Sequence, residues 1–175
     1  RGYTHPMQSA IGADVKYGLT SNLTLDATVN PDFGQVEADP SVLNLTAFEQ
    51  FYQEKRPFFL EGSGIFRYDV SCNDGQCTGL FYSRRIGRAP QLGWRADDAN
   101  NVPVATPLVG AAQLTWRLRH GLTFGILNAV TGREQLRDIL TLEPRPHSFV
   151  GRLPQTSPKG RPGFDGLVTA RTRDP

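Results

Sequence analysis

Apolar and polar residues alternate with period two along several stretches of this chain. Ile11, Ala13, Val15, Tyr17 and Leu19 alternate with Gly12, Asp14, Lys16, Gly18 and Thr20. Successive side chains of a strand point to opposite faces, so this pattern predicts a β-strand with one apolar side. After the polar turn Thr20-Ser21-Asn22 the pattern repeats, with Leu23, Leu25, Ala27 and Val29 set against Thr24, Asp26, Thr28 and Asn30. Two such runs joined by so short a loop predict an antiparallel hairpin. A second hairpin of the same design is predicted from Leu108 to Arg119, turning at His120-Gly121 and returning along Leu122, Phe124 and Ile126. Another strand is predicted over Thr78 to Arg88, and weaker patterns predict strands over Ser148 to Leu153 and Gly166 to Thr172.

Between the first hairpin and the later strands, Asn30 to Gly62 breaks the alternation. Asn30-Pro31-Asp32 ends the second strand, since proline cannot donate to a ladder. Asp39-Pro40 reads as an N-cap followed by proline at the first helical position. Val42, Leu45, Phe48, Phe51 and Tyr52 recur at helical spacing, predicting a helix from about Ser41 to Gln53. Arg56 precedes Pro57 and is expected to be extended. In the EKRPFFLEG block, Phe58, Phe59 and Leu60 are the expected anchor of the insertion. The predicted organisation is one partial domain: a hairpin over 10–30, a helical, acidic insertion over 30–62, and further strands and loops over 63–175. The opening RGYTHPMQ has no apolar core and no initiating Met, and TARTRDP stops without a closing strand, so the chain is expected to be a piece truncated at both ends.

The fold class expected is all-β and antiparallel. In a soluble sandwich the apolar faces would meet another sheet; in an outer-membrane barrel they would meet lipid. Composition does not choose between them. The 175 residues are 38% hydrophobic and the mean hydropathy is −0.38, but only every second residue of a membrane-spanning strand faces lipid. A net charge of +2, without a basic stripe carrying interleaved aromatics, argues against nucleic acid as a partner.

Candidate chemistry gathers in the insertion. Its acidic set is Asp32, Glu37, Asp39, Glu49, Glu54 and Glu61. Glycoside hydrolysis needs two carboxylates about 5–10 Å apart, so Glu49, Glu54 and Glu61 are the candidates for a hydrolase acting on O-glycosyl bonds. The competing expectation is structural: Asp39 caps, and Glu54 pairs with Lys55 or Arg56. Arg84, Arg85 and Arg88 form a basic cluster expected to line a polar interior, with Asp32 and Glu37, or to pair with the acidic insertion. Cys72 and Cys77, in CNDGQC, are a candidate disulfide in an oxidising compartment. His5, His120 and His147 lack metal-site spacing, and no metal or cofactor is expected.

The blocks GADVKYGLTSNLTLDATVNPDFGQVEADPSVLNLTAFE, EKRPFFLEG, LFYSRRIGRAP, ATPLVGAAQLTWR and GILNAVTGRE occur in that order between Gly12 and Glu134. In these the chain resembles the bacterial domain of unknown function numbered 5916. The resemblance implies part of an outer-membrane β-barrel in the cell envelope, with lipid as its surroundings. It also implies a link to carbohydrate binding or uptake through an upstream module similar to family-nine carbohydrate-binding modules. It brings no catalytic residues. A carbohydrate-active hydrolase and a soluble β-sandwich binding module are the alternatives.

Overall fold

The computed structural model describes residues 11–31, 51–73, 76–92, 103, 105–136, 140–156 and 163–173. Six strands form one antiparallel sheet: β1 (Ala13–Thr20), β2 (Leu23–Val29), β5 (Leu108–Arg117), β6 (Thr123–Thr131), β9 (Pro146–Gln155) and β10 (Phe164–Arg173), in the order β1-β2-β5-β6-β9-β10. Two short hairpins lie outside it, β3 (Asp69–Asn73) with β4 (Gln76–Gly79) and β7 (Glu134–Leu136) with β8 (Leu140–Glu143). The main sheet is an up-and-down meander whose neighbours are all antiparallel. It is open, with β1 and β10 at its edges.

Both predicted hairpins and the two weaker strands belong to this sheet. The strand expected over Thr78 to Arg88 does not: after β4 the chain makes a 3-10 turn at Ser83–Arg85. The charged stretch after Thr131 contains β7 and β8. The helix expected over Ser41 to Gln53 falls mostly outside the described residues, and its last three, Phe51 to Gln53, are not helical. Helix forms instead at α1 (Pro57–Leu60) and α2 (Ser63–Phe66). Arg56 is extended, and Pro57 opens α1 with a ring already set for the helical φ. Gly62 joins the two helices at φ 73°, in the left-handed region that glycine enters without steric cost.

Register decides which side chains share a face. One row runs across all six strands as Tyr17, Leu25, Leu114, Ile126, Gly151 and Val168. The row on the opposite face runs Lys16, Asp26, Gln113, Leu127, Val150 and Thr169. The apolar face is the uncovered one. Val15, Tyr17, Leu19, Val29, Trp116, Phe149, Phe164 and Val168 are all exposed on it, Val168 at 63%. The face carrying Asp26 (8% exposed) and Thr28 (1%) is the buried one.

The core therefore lies between that inner face and the residues that follow the insertion's start. Phe58, Phe59, Phe66 and Ile86 meet Leu108, Ala111, Leu127, Ala129 and Val150, with Ile65, Phe81 and Leu167 at its margin. Helices as short as α1 and α2 do not persist alone. Burial of those three phenylalanines and Ile86 supplies about 6–12 kcal/mol, as an upper estimate, and is what holds them in place. Gly125 permits the close approach: a Cβ there would sit 2.5 Å from Ile65 Cγ2 and 3.1 Å from Phe66 Cε1.

Candidate functional site

The residues singled out from sequence converge partly on one node. Glu54 receives two bonds from Arg56, Nε to Oε1 at 2.8 Å and Nη2 to Oε2 at 2.7 Å. The Ser83 hydroxyl donates to Oε2 at 2.6 Å, and the Arg56 backbone N–H donates to Oε1 at 3.0 Å. Arg56 also donates to the carbonyls of Ile86 (2.7 Å) and Ser83 (2.9 Å), and its guanidinium stands 4.2 Å above the centre of the Phe59 ring. Burial pushes the Glu54 carboxyl up. The bonds and charge of Arg56, helped by Ser83, outweigh it and hold the group below the ordinary glutamate range.

This node ties two distant blocks, EKRP and YSRRI, into one body. Tyr82 completes the tie: its hydroxyl accepts from the Tyr52 N–H at 2.7 Å and donates to the Tyr52 carbonyl at 3.0 Å. Arg84 donates to the Gln53 carbonyl at 2.7 Å. Its guanidinium stands 5.9 Å from the centre of the Tyr52 ring.

A second set of contacts fastens this body to the sheet. Gln113, on β5, donates from Nε2 to Asp26 Oδ2 at 2.9 Å and to the Glu61 carbonyl at 2.9 Å. Glu61 itself pairs with Lys16 of β1. Arg152, on β9, donates to the Ile65 carbonyl at 2.9 Å and to the Arg67 carbonyl, and it pairs with Asp165 of β10. Gln113, Asp26 and Arg152 were not among the sequence candidates. The alternation marks them as polar-face positions, but period alone does not say what covers that face.

A third feature is a cavity of about 170 Å³ between the segment Leu80 to Ile86 and β9–β10. Arg85, Arg171, Ser148 and Thr169 line it, with apolar residues that include Phe81 and Val150. Beside it, Arg171 Nη2 donates to Glu143 Oε1 at 3.0 Å, and Gln91 N–H donates to Glu143 Oε2 at 2.9 Å. Glu143 is 3% exposed.

Of the predicted residues, Glu54 joins the node and Arg84 and Arg85 belong to the same segment. The pairing expected between the carboxylates and Arg84 or Arg88 is taken, for Glu54, by Arg56. Arg88 forms a backbone bridge with Ala105 and accepts from the Thr106 hydroxyl through its carbonyl. Phe58 and Phe59 are buried anchors, whereas Leu60 is 47% exposed and is not. Asp32, Glu37, Asp39 and Glu49 lie outside the described residues. Cys72 is disulfide-bonded, and the β3–β4 register sets it opposite Cys77. Among the described residues, no group of three or more His, Cys, Asp or Glu is arranged to hold a metal ion.

An open antiparallel sheet with one bare apolar face, and with α1 and α2 packed on the other, defines an antiparallel β protein with few helices. The chain belongs to the family described as domain of unknown function 5916 (DUF5916), whose model matches residues 3–145. Searches of the curated proteins and of the solved structures returned no match.

Proposed function

We propose that this chain forms part of the wall of an outer-membrane β-barrel, with α1, α2 and the turn at Ser83–Arg85 folded against the inner face as a plug. The observation that carries this reading is the outward face. Its row from Tyr17 to Val168 is unbroken by any polar side chain, and within the described residues nothing covers it. The exposed large side chains on it amount to an area on the order of 800 Å², above the largest patch of a typical soluble monomer. Hydrocarbon is the solvent in which such a face is stable.

Three further features agree. The outward polar residues Asn128, His147 and Thr172 stand together, toward the rim where β9 begins and β10 ends. The connections β1–β2 and β5–β6 at one rim are short, while β2–β5 and β6–β9 at the other are long. Outer-membrane barrels have this asymmetry, with short periplasmic turns and long external loops. Ten-residue strands such as β5, β9 and β10 reach about 34 Å, or roughly 25 Å of height at a 40° tilt, which is the height of a barrel's apolar band. In this reading the plug enters from the long-loop rim and occupies the lumen, where its helix ends are shielded from lipid.

We place any glycan recognition by the assembled protein in an upstream module, as the family resemblance implies. Of the hydrolase candidates among the described residues, Glu54 is bonded to Arg56 and Ser83, and Glu61 is paired with Lys16. Fractionation of the full-length protein tests the proposal. Recovery in the outer-membrane fraction, released only by detergent, is expected. Recovery in the soluble periplasm overturns it.

A further inference from the structure

We propose that the outward cavity over Asn128, Phe149 and Thr172 holds the sugar headgroup of a glycolipid. The inference rests on the barrel reading above and names the lipid that one patch of the outward face selects.

Strand pairing assembles the patch. Asn128, Phe149 and Ala170 are cross-strand neighbours in one row over β6, β9 and β10, and His147 and Thr172 are partners in the next row toward the rim. These five residues line a cavity of about 380 Å³, within the ~300–1,000 Å³ of sites that take a small molecule or group. Two small residues make room for it. The Phe149 ring folds along its strand toward Gly151, where an added Cβ would lie 3.5 Å from it. Ala170, opposite Phe149, leaves the floor on β10 low.

The lining is neutral and able both to give and to accept. The Asn128 amide offers two donors and two lone pairs, and the Thr172 hydroxyl one donor and two lone pairs. Both residues are exposed, and among the described residues neither side chain has a hydrogen-bond partner. Sugar hydroxyls have the same dual character. The Phe149 ring adds an apolar wall for the C–H side of a sugar ring, the usual mix of an aromatic surface and a few placed polar groups. A phosphate headgroup calls for guanidinium or ammonium groups instead. The two arginines that flank Thr172 are engaged elsewhere, Arg171 on Glu143 and Arg173 on Gln91.

Depth agrees with a headgroup. His147 and Thr172 stand one pair in from the end of the β9–β10 ladder, which closes at Pro146 and Arg173. In strands as long as the apolar band is tall, that is the level where hydrocarbon gives way to headgroups. This rim carries the long connections, so in the barrel reading the lipid belongs to the outer leaflet. An amide set against acyl chains without a partner is costly. A headgroup that reaches one row down gives Asn128 its partner.

The experiment is native mass spectrometry of the full-length protein, released in mild detergent from phosphatidylcholine vesicles that contain a minor fraction of digalactosyl diacylglycerol or of phosphatidylglycerol. Retention of the galactolipid above phosphatidylglycerol is expected. Asn128→Leu and Thr172→Val, which keep the face compatible with lipid, should each lower the retained fraction about threefold to tenfold. Gly151→Val touches no polar group but crowds the Phe149 ring back over the cavity, and it should weaken retention too. Val15→Leu, in the row of Asn128 but on β1, should retain the lipid as wild type does. Equal or stronger retention of phosphatidylglycerol, or unchanged retention in the inserted variants, overturns the proposal and leaves the barrel reading standing. A protein that does not enter the vesicles overturns both.

Discussion

A charge placed on the outward face separates lipid from water as its solvent. Val168 is the fifth residue of β10, near mid-strand, and is 63% exposed. Its cross-strand partner on β9 is Gly151, whose Cβ position lies 3.5 Å from the Phe149 ring. If the face is in water, Val168→Arg is an ordinary surface change, worth within about ±0.5 kcal/mol. If it is in hydrocarbon, the change has two costs. Transferring the uncovered valine surface to lipid contributes about 1–2 kcal/mol, which is lost. A guanidinium at mid-membrane depth adds about 2–4 kcal/mol. Together they give about 3–6 kcal/mol, at least a hundredfold in the folding equilibrium. Thr172→Arg, on the same face of the same strand but near the rim, should cost only about 0–1 kcal/mol. The assay is urea-titrated folding of the full-length protein into phospholipid vesicles, followed by tryptophan fluorescence. Equal stability of Val168→Arg and wild type, or full folding without vesicles, refutes the reasoning.

Four other outcomes follow from the inner side. Glu54→Gln should destabilise the insertion by about 1–3 kcal/mol, since it removes the charged acceptor that Arg56 and Ser83 bond; hydrogen exchange of the amides of 82–86 reads this locally. Glu54 is held below its unfolded pKa, so its contribution is present above about pH 4.3 and is lost as pH falls through the folded value; the wild type should show that slope and the glutamine variant should not. Gly125→Ala should cost about 1–3 kcal/mol by forcing a methyl into Ile65 and Phe66, measured as a lower urea midpoint. Gln113→Leu removes the donor to Asp26 and to the Glu61 carbonyl, and should cost about 1–3 kcal/mol with faster proteolysis between Phe51 and Phe66.

Strand existence was legible because it is a local property. The alternation of β1, β2 and β5 shows in their own residues, and Pro57 announces the extended Arg56. The strand expected over Thr78 to Arg88 failed for an equally physical reason. Arg84 and Ser83 gain partners at Gln53 and Glu54 by turning, and Ile86 gains burial, none of which a ladder would have offered. The Glu54–Arg56 pair was visible as a spacing. Its third member, Ser83, was not, because the bond spans twenty-nine residues.

What the sequence alone determined is that one face of each long strand is apolar. What only the tertiary structure decided is which face is covered. Hydropathy predicts that an apolar face will be hidden from water, but not whether protein or lipid hides it. Here the insertion docks on the other side. It can do so because Leu127 and Val150 sit on that inner face, each beside an apolar outward neighbour, Ile126 or Phe149, that masks it in the linear pattern. Strand pairing places these two opposite each other, and their joint burial with Phe58, Phe59 and Phe66 binds the insertion to the polar side and leaves the apolar side bare.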